Sequence, residues 1–538
     1  MNVSTIEPRS CSASEIRNWD TKKWAVAILS MIVFATLLFA RLGHYSLWDD
    51  ETMVALVAKG VVRTGDTSAI IDHGNIVAYE NGRLLHNLHD RSTPPLATYI
   101  TAISFMLFGE NAWAARAPFA LFGLATLALV LYWARRQNII IFSLLAIGIV
   151  CNVALLLQFK QCRYYAVTVF FSVLVAYLYY YWGGDRRKLI LMALASICLF
   201  TANYLNCIVM QCCLLIDYIF WKRHEHTLGF RDWLALLLPQ AVVCGMIALI
   251  WNPMKTAQGN LADGNTFFDR ITLIYWNFRD LNVCEFYTWV VLVFALVIGI
   301  MRKKTWLLRA STALVAYVIV LSFLSPQNLH GTSAADVRYF GPLVPLSIAL
   351  GIGVIHGIML KWSRPALIAG AILFSTNIIS GHFFQRPSTI YSYIGELRTP
   401  PEEPFKPTSE WINKNIPEGK TVFVAPNYAA YPLMFHAPKA TYAWQLNDRL
   451  QKQYINLKPP LIKGEEMPDY LIGFGPYVNE LKYNLQKYGD PNARYQIVEK
   501  IDVFWKDMYR PELFWRTFKS IKNYSKGQDE VIIFKRIQ

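Results

Sequence analysis

The chain has 538 residues, 54% apolar and 17% charged, with a mean hydropathy of +0.28. About a quarter of an average soluble protein is charged, so one soluble domain is excluded, and so is a disordered chain. Lysine and arginine total 52 against 37 acidic residues, a formal +15; the positive charges sit in short clusters between apolar runs, which points to membrane lipids and away from nucleic acid.

A hydrocarbon core needs roughly 20 apolar residues in a helix. Spans are predicted near Trp24–Ala40, Ala112–Trp133, Ile139–Leu157, Tyr164–Trp182, Leu189–Tyr204, Cys207–Trp221, Trp233–Trp251, Tyr287–Ile300, Trp306–Leu324, Leu343–Leu360 and Ala366–Phe383. The first has a long polar segment before it and no small-residue cleavage site after it, so it reads as a retained helix. Leu96–Phe108 is short and reads as re-entrant or interfacial. Lys22–Lys23, Arg135–Arg136, Arg186–Lys188, Lys222–Arg223, Arg302–Lys304 and Lys361/Arg364 fall in alternate connections. By the positive-inside rule these, and the N-terminus, are cytoplasmic. The other side then receives Arg41–Asn111, the turn at Lys160, Asn252–Phe286, Ser325–Phe340 and everything after about His382. The nine cysteines show no CxxC pair and no zinc spacing.

The first external loop opens with Asp49-Asp50-Glu51. Three adjacent carboxylates at a membrane face are solvated, metal-bound or catalytic, because an unpaired buried charge is costly. They also suit the positive end of a helix over Thr52–Lys59. Later in the loop, His86, His89 and Asp90 precede Arg91 and the Pro94-Pro95 pair. With Asp49 they form either a divalent-metal site or a plain polar loop. Two arginines stand at outer span edges, each beside a tyrosine: Arg163-Tyr164 and Arg338-Tyr339. They either snorkel within an aromatic belt or grip a phosphate.

The tail differs in kind. A proline-rich linker, Pro400 to Pro407, leads to a predicted helix at Thr408–Asn415 and strands at Thr421–Ala425, Tyr470–Gly473, Tyr495–Phe504 and Val531–Phe534. The expected division is 1–383 for the membrane domain, with the candidate catalytic loop at 41–111, and 384–538 for an extracytoplasmic α/β domain. An aromatic-basic run after Val503 includes Trp505 and Tyr509. These either fill the small core or meet the membrane surface and the acceptor.

In order along the chain, Trp48-Asp49-Asp50-Glu51, Pro94-Pro95-Leu96, Phe108-Gly109 with Ala115-Arg116-Ala117-Pro118, Arg163-Tyr164-Tyr165 and Arg338-Tyr339 with Pro342 and Pro345 carry a resemblance. The chain resembles the GT-C membrane glycosyltransferases that use polyprenyl-phosphate sugars, such as the protein O-mannosyltransferases and lipid A aminoarabinose transferases. It departs from many of them in having Thr93 where a lysine precedes Pro-Pro, with Arg91 and His89 the nearest bases. The resemblance implies a polytopic α-helical fold of about 11–13 spans in a bacterial inner membrane. It implies inverting transfer of one sugar from a polyprenyl-phosphate donor to a lipid, glycan or protein acceptor. Asp50 is then the general base and Glu51 a supporting or acceptor-orienting carboxylate. Arg163, Arg338, Tyr164, Tyr339 and Arg91 are then the lipid-phosphate contacts. No cofactor is certain, and a divalent metal is possible. A polymerase or ligase would share the donor. A secondary transporter would show repeats and mid-membrane charges, and neither is evident here.

Overall fold

A computed structural model describes residues 20–77, 85–91, 93–251, 265–284, 288–327, 329, 337–359, 363–376, 390–400, 403–443, 467–481, 483, 493–503 and 529–537. Helix starts follow polar side chains that accept from otherwise orphaned first-turn N–H groups. Asp20 caps α1 (Thr21–Phe39) in this way, and Asn111 caps α4 (Ala112–Trp133). Asn138 caps α5 (Ile139–Cys151) and Asn152 caps α6 (Val153–Phe159). Between them, α2 (Asp49–Thr64) ends on left-handed Gly65, and α3 begins at Pro95 and runs to Phe108. Next come α7 (Tyr165–Tyr180), α8 (Arg186–Ala202), α9 (Tyr204–Asp217) and α10 (Phe230–Ile250). The bundle continues with α11 (Phe267–Cys284), α12 (Thr288–Met301), α13 (Thr305–Leu324), α14 (Leu343–Ile358) and α15 (Ser363–Thr376).

Among the described residues, five helical segments are long and apolar enough to cross a membrane, and α5 with α6 makes a sixth if the bent pair is one span. Five shorter apolar helices accompany them. Leu29, Ile32, Leu237, Leu238 and Leu249 are exposed, the outward apolar surface of helices solvated by lipid. The protein is an integral membrane protein with a helical bundle and a strand-containing C-terminal unit.

Two expectations need correction. The span predicted at Ile139–Leu157 breaks at Asn152, where α5 and α6 meet at 58°, because the Asn152 side chain starts a new helix by accepting from Leu155 N–H. The stretch Asn252–Phe286, predicted only as a connection between spans, contains α11. Its Arg270 donates to Ser325 O at 2.6 Å and its Asn277 to Ser322 Oγ at 2.7 Å, both at the end of α13. Four charged residues had hidden its apolar face. Leu96–Phe108 is one regular helix, α3, packed between α2 and α4.

Two of the basic clusters touch, and a third reaches a neighbouring helix end. Lys23 Nζ donates to Arg135 O at 2.9 Å, and Lys222 Nζ to Tyr180 O at 3.1 Å. The first loop meets the tail. The tail contains α16 (Ile390–Arg398), α17 (Phe405–Asn415) and α18 (Ala430–His436). Its strands are β3 (Thr421–Ala425), β4 (Thr441–Ala443), β5 (Tyr470–Phe474), β6 (Tyr495–Val503) and β7 (Asp529–Arg536). The two-residue strands β1 (Leu85–His86) and β2 (His89–Asp90) belong to the first loop. The tail sheet has the order β4-β3-β5-β7-β6, parallel from β4 to β5 and antiparallel beyond. Its central strand, β5, is buried throughout, as a strand covered on both faces must be.

Candidate active site

The site forms around the first turn of α2. Asp49, Asp50 and Glu51 are adjacent in sequence yet enter three environments. Glu51 is wholly buried. Its two oxygens accept from Arg116 of α4, Nε to Oε1 at 2.9 Å and Nη2 to Oε2 at 2.6 Å. Cys162 N–H adds a bond to Oε1 at 2.8 Å. Arg116 spends its other N–H groups on the carbonyls of Leu42, Tyr45 and Ser46. One guanidinium therefore fixes both the carboxylate and the turn that delivers α2. In this structure both Glu51 oxygens accept from Arg116 and the side chain has no exposed surface. Asp49 is also buried.

Asp50 turns the other way, towards the span edges. Its Oδ2 lies 3.1 Å from Arg163 Nη2 and 3.3 Å from Arg338 Nη1. Arg163 Nη1 also donates to the Asp50 carbonyl at 3.1 Å. Arg163 comes from the turn between α6 and α7, and Arg338 from a 3-10 turn (Val337–Phe340) before α14. The Asp50–Arg338 pair bridges 288 residues of sequence. Each guanidinium lies over an adjacent ring: Arg163 is 5.2 Å from the Tyr164 centroid and Arg338 is 5.7 Å from that of Tyr339. Tyr164 and Tyr339 are buried, so ring stacking orients the two cations. The buried Nε of Arg163 has no acceptor among the described residues.

A narrow cleft continues from Arg338, lined by Gln158, Tyr164, Thr168, Asn206 and Gly341. Gln158 Oε1 is buried there without a hydrogen-bond donor among the described residues. It reaches the Arg338–Pro342 segment because Gly341 has no Cβ; a Cβ there would overlap it and stand 3.1 Å from Val169 Cγ2.

Arg91 is not with this group. It grips Asp66 with two prongs, at 2.7 and 2.6 Å. That grip holds the Asp66 carboxyl down at about 2, and Arg91 is an anchor of the loop. The four candidate metal ligands are likewise not gathered. His86 and His89 are register partners at the end of a two-residue hairpin, and His89 Nδ1 sits 2.9 Å from Asn87 O. Asp90 Oδ1 accepts from Thr93 N–H at 3.2 Å, while Asp49 lies in the first turn of α2. Among the described residues no three His, Cys, Asp or Glu side chains converge as a metal would require. Trp505 and Tyr509 lie outside the described residues.

Sequence reasoning missed Arg116, Gln158 and two tail residues. The signal for Arg116 was present: a lone arginine inside an apolar helix demands a partner. From the tail, Glu403 Oε1 accepts from Ser46 N–H at 3.1 Å and from Ser46 Oγ at 2.6 Å. His436 Nε2 accepts from Leu47 N–H at 3.0 Å.

No protein-family model matches the sequence, and no curated protein matches it. Among solved structures, the chain is similar to ArnT from Cupriavidus metallidurans in the apo state. That match has 11% identity over 95% of this chain and 97% of that one, with a TM-score of 0.50. A structure of the same ArnT bound to undecaprenyl phosphate matches at 12% identity over 96% and 98%, with a TM-score of 0.48. The oligosaccharyltransferase of Archaeoglobus fulgidus in its apo form matches at 11% identity over 78% and 64%, with a TM-score of 0.43.

Proposed function

We propose that this chain, which carries the GT-C membrane fold, is a glycosyltransferase that moves one sugar from a polyprenyl-phosphate donor to a hydroxyl of an acceptor, with inversion. The observation that carries this reading is the meeting of Asp50, Arg163 and Arg338 from three distant segments at one bundle edge. Sugar transfer from a lipid phosphate needs this pairing of groups. A carboxylate takes the proton of the attacking hydroxyl, and fixed cations stabilise the charge that grows on the departing phosphate.

In our reading, Asp50 is the general base. The acceptor oxygen bonds to the anomeric carbon as the bond from that carbon to the phosphate oxygen breaks. The proton goes to Asp50 and the electron pair leaves with the polyprenyl phosphate. Arg163 and Arg338 receive that phosphate. Both now hold Asp50, so an incoming phosphate competes for the same N–H groups. Arg338, with the longer contact and the more exposed side chain, is the one to change partners, leaving an Asp50 oxygen for the acceptor. The active face is extracytoplasmic in this reading, in a plasma membrane of bacterial type. The basic clusters and the N-terminus are cytoplasmic. The acceptor is a lipid, glycan or protein of the envelope.

The test incubates membranes carrying the protein with undecaprenyl phosphate linked to a labelled sugar. Wild type transfers single labelled residues. Asp50→Asn, which keeps the volume but cannot take a proton, loses about 10²–10⁴-fold in turnover. Arg163→Ala loses donor use, and Arg163→Lys restores only part, since a point charge lacks the planar fork. Undiminished transfer by a folded Asp50→Asn protein would remove the base assignment. Labelled chains in place of single residues would favour a polymerase.

A further inference from the structure

The backbone that delivers Asp50 is held from two sides. Its carbonyls at Leu42, Tyr45 and Ser46 are taken by Arg116 from the bundle. Its N–H groups at Ser46 and Leu47 are taken by Glu403 and His436 from the tail. Glu403 is itself fixed, because its Oε2 accepts from Phe405 N–H at 3.0 Å. A second pair of bonds joins loop and tail further out. Asn75 Nδ2 donates to Ala440 O at 2.9 Å, and Tyr442 N–H donates to Asn75 Oδ1 at 2.7 Å. Lys59 of α2 lies 4.4 Å from the Phe435 ring centroid, next to His436. The tail therefore grips α2 just before its start and again along its length.

We propose that His436, supported by Glu403, is a positioning residue for Asp50: the tail fixes where α2 begins and so where the carboxylate stands between Arg163 and Arg338. The proposal rests on the reading of Asp50 as the base. Leu47 stands one residue before Trp48, the extended residue that caps α2, and three residues before Asp50. Thr52, in the first turn of α2, donates its hydroxyl to Leu47 O and Trp48 O at 3.2 and 2.6 Å, so the segment is tied to that turn and a shift at Leu47 is passed on to the carboxylate. Misplacing a reacting group by about 1 Å can cost about 10²-fold.

The chemistry suits a strut. A backbone N–H can only donate, so His436 Nε2 must be the bare nitrogen of a neutral ring. Burial, with Arg116 and Lys59 adding repulsion, pushes this histidine down to about 3. It stays an acceptor at any ordinary pH.

The test uses the full-length protein in lipid nanodiscs with three variants. His436→Leu removes the acceptor. His436→Gln offers an amide oxygen near the Nε2 position. Asp50→Asn removes the base. Hydrogen exchange is read at Leu47–Thr52 and at β3 and β5. Turnover is read with labelled undecaprenyl-phosphate sugar. His436→Leu is expected to exchange faster at Leu47–Thr52 with β3 and β5 unchanged. Its kcat is expected to fall about 10–100-fold with donor KM unchanged. His436→Gln is expected to restore both. In the Asp50→Asn background, His436→Leu is expected to cost nothing more, since the two act through one group. Wild-type exchange at Leu47–Thr52 in His436→Leu overturns the proposal, whether or not any sugar is transferred. So does an unaltered kcat, or a rise in exchange spread equally over β3 and β5, which would make His436 a folding residue of the tail. An active Asp50→Asn protein would instead overturn the base assignment, while the exchange result still judges the strut.

Discussion

Arg116 and Arg163 are two arginines of one face with opposite consequences when removed. Arg116→Leu leaves Glu51 buried without its cation, and losing one partner of a buried pair costs about 3–5 kcal/mol. The expected outcome is a large drop in the thermal midpoint of the purified protein and a poor folded yield. Arg163→Ala meets a partly exposed carboxylate and is expected to leave that midpoint close to wild type. Equal midpoints in both variants would show that Glu51 does not depend on Arg116. The residue scale also marks how far the sequence could be read. Three neighbouring carboxylates and two edge arginines were visible as candidates. Which carboxylate faced which arginine was not, because Glu51 finds Arg116 65 residues away and Asp50 finds Arg338 288 residues away. Only packing decides those pairings. Arg91 and the histidines misled for the same reason: Asp66, the partner that occupies Arg91, lies 25 residues upstream.

Among the elements, the break at Asn152 and the glycine at 341 shape the cleft together. Asn152 ends α5 and redirects α6, which carries Gln158 to the site; Gly341 admits the Gln158 amide. Gly341→Ala inserts a methyl against Gln158 Oε1 and Val169 Cγ2. Overpacking of this kind costs about 1–3 kcal/mol, expected as a lower thermal midpoint. Adding Gln158→Ala should return most of it, and failure of that rescue would move the strain elsewhere. Apolar run lengths gave the helices well, since burial in lipid depends on composition. They failed at Asn152, where one side chain outweighs its apolar neighbours, and at α11, where charges sit on one face of a helix. The strands predicted at Thr421–Ala425, Tyr470–Gly473, Tyr495–Phe504 and Val531–Phe534 fall on β3, β5, β6 and β7, legible from β-branched and aromatic runs. The short α18 was not, although it carries His436.

Taken together, tail and bundle share a bond whose contribution to stability depends on pH. The His436 ring titrates near 6.5 when free and near 3 when folded. The unfolded chain therefore binds the extra proton between those values. The stability contributed by the neutral ring is complete above about 6.5 and declines as pH falls towards 3. Thermal midpoints at pH 7.5 and 5 should differ more for wild type than for His436→Gln; identical differences would exclude the ring as the cause. Sidedness has its own test. Single cysteines at Gln137 and Lys303 should be modified from the cytoplasm, and one at Glu418 from outside. A cytoplasmic Glu418 would separate the proposed active face from the acceptors assigned to it. The long-range bonds also carry a consequence for how the protein is made. The N–H of Leu47 waits 389 residues for its acceptor. A chain synthesised from its N-terminus threads Asp50, Arg163 and Arg338 into the membrane well before His436 leaves the ribosome. Until then the turn before α2 is held by Arg116 alone of the partners described above, without its bonds to Glu403 and His436. On the proposed role of Asp50, translation then works as a safety catch: a nascent chain halted before Glu403 would carry every charge of the centre and turn over slowly.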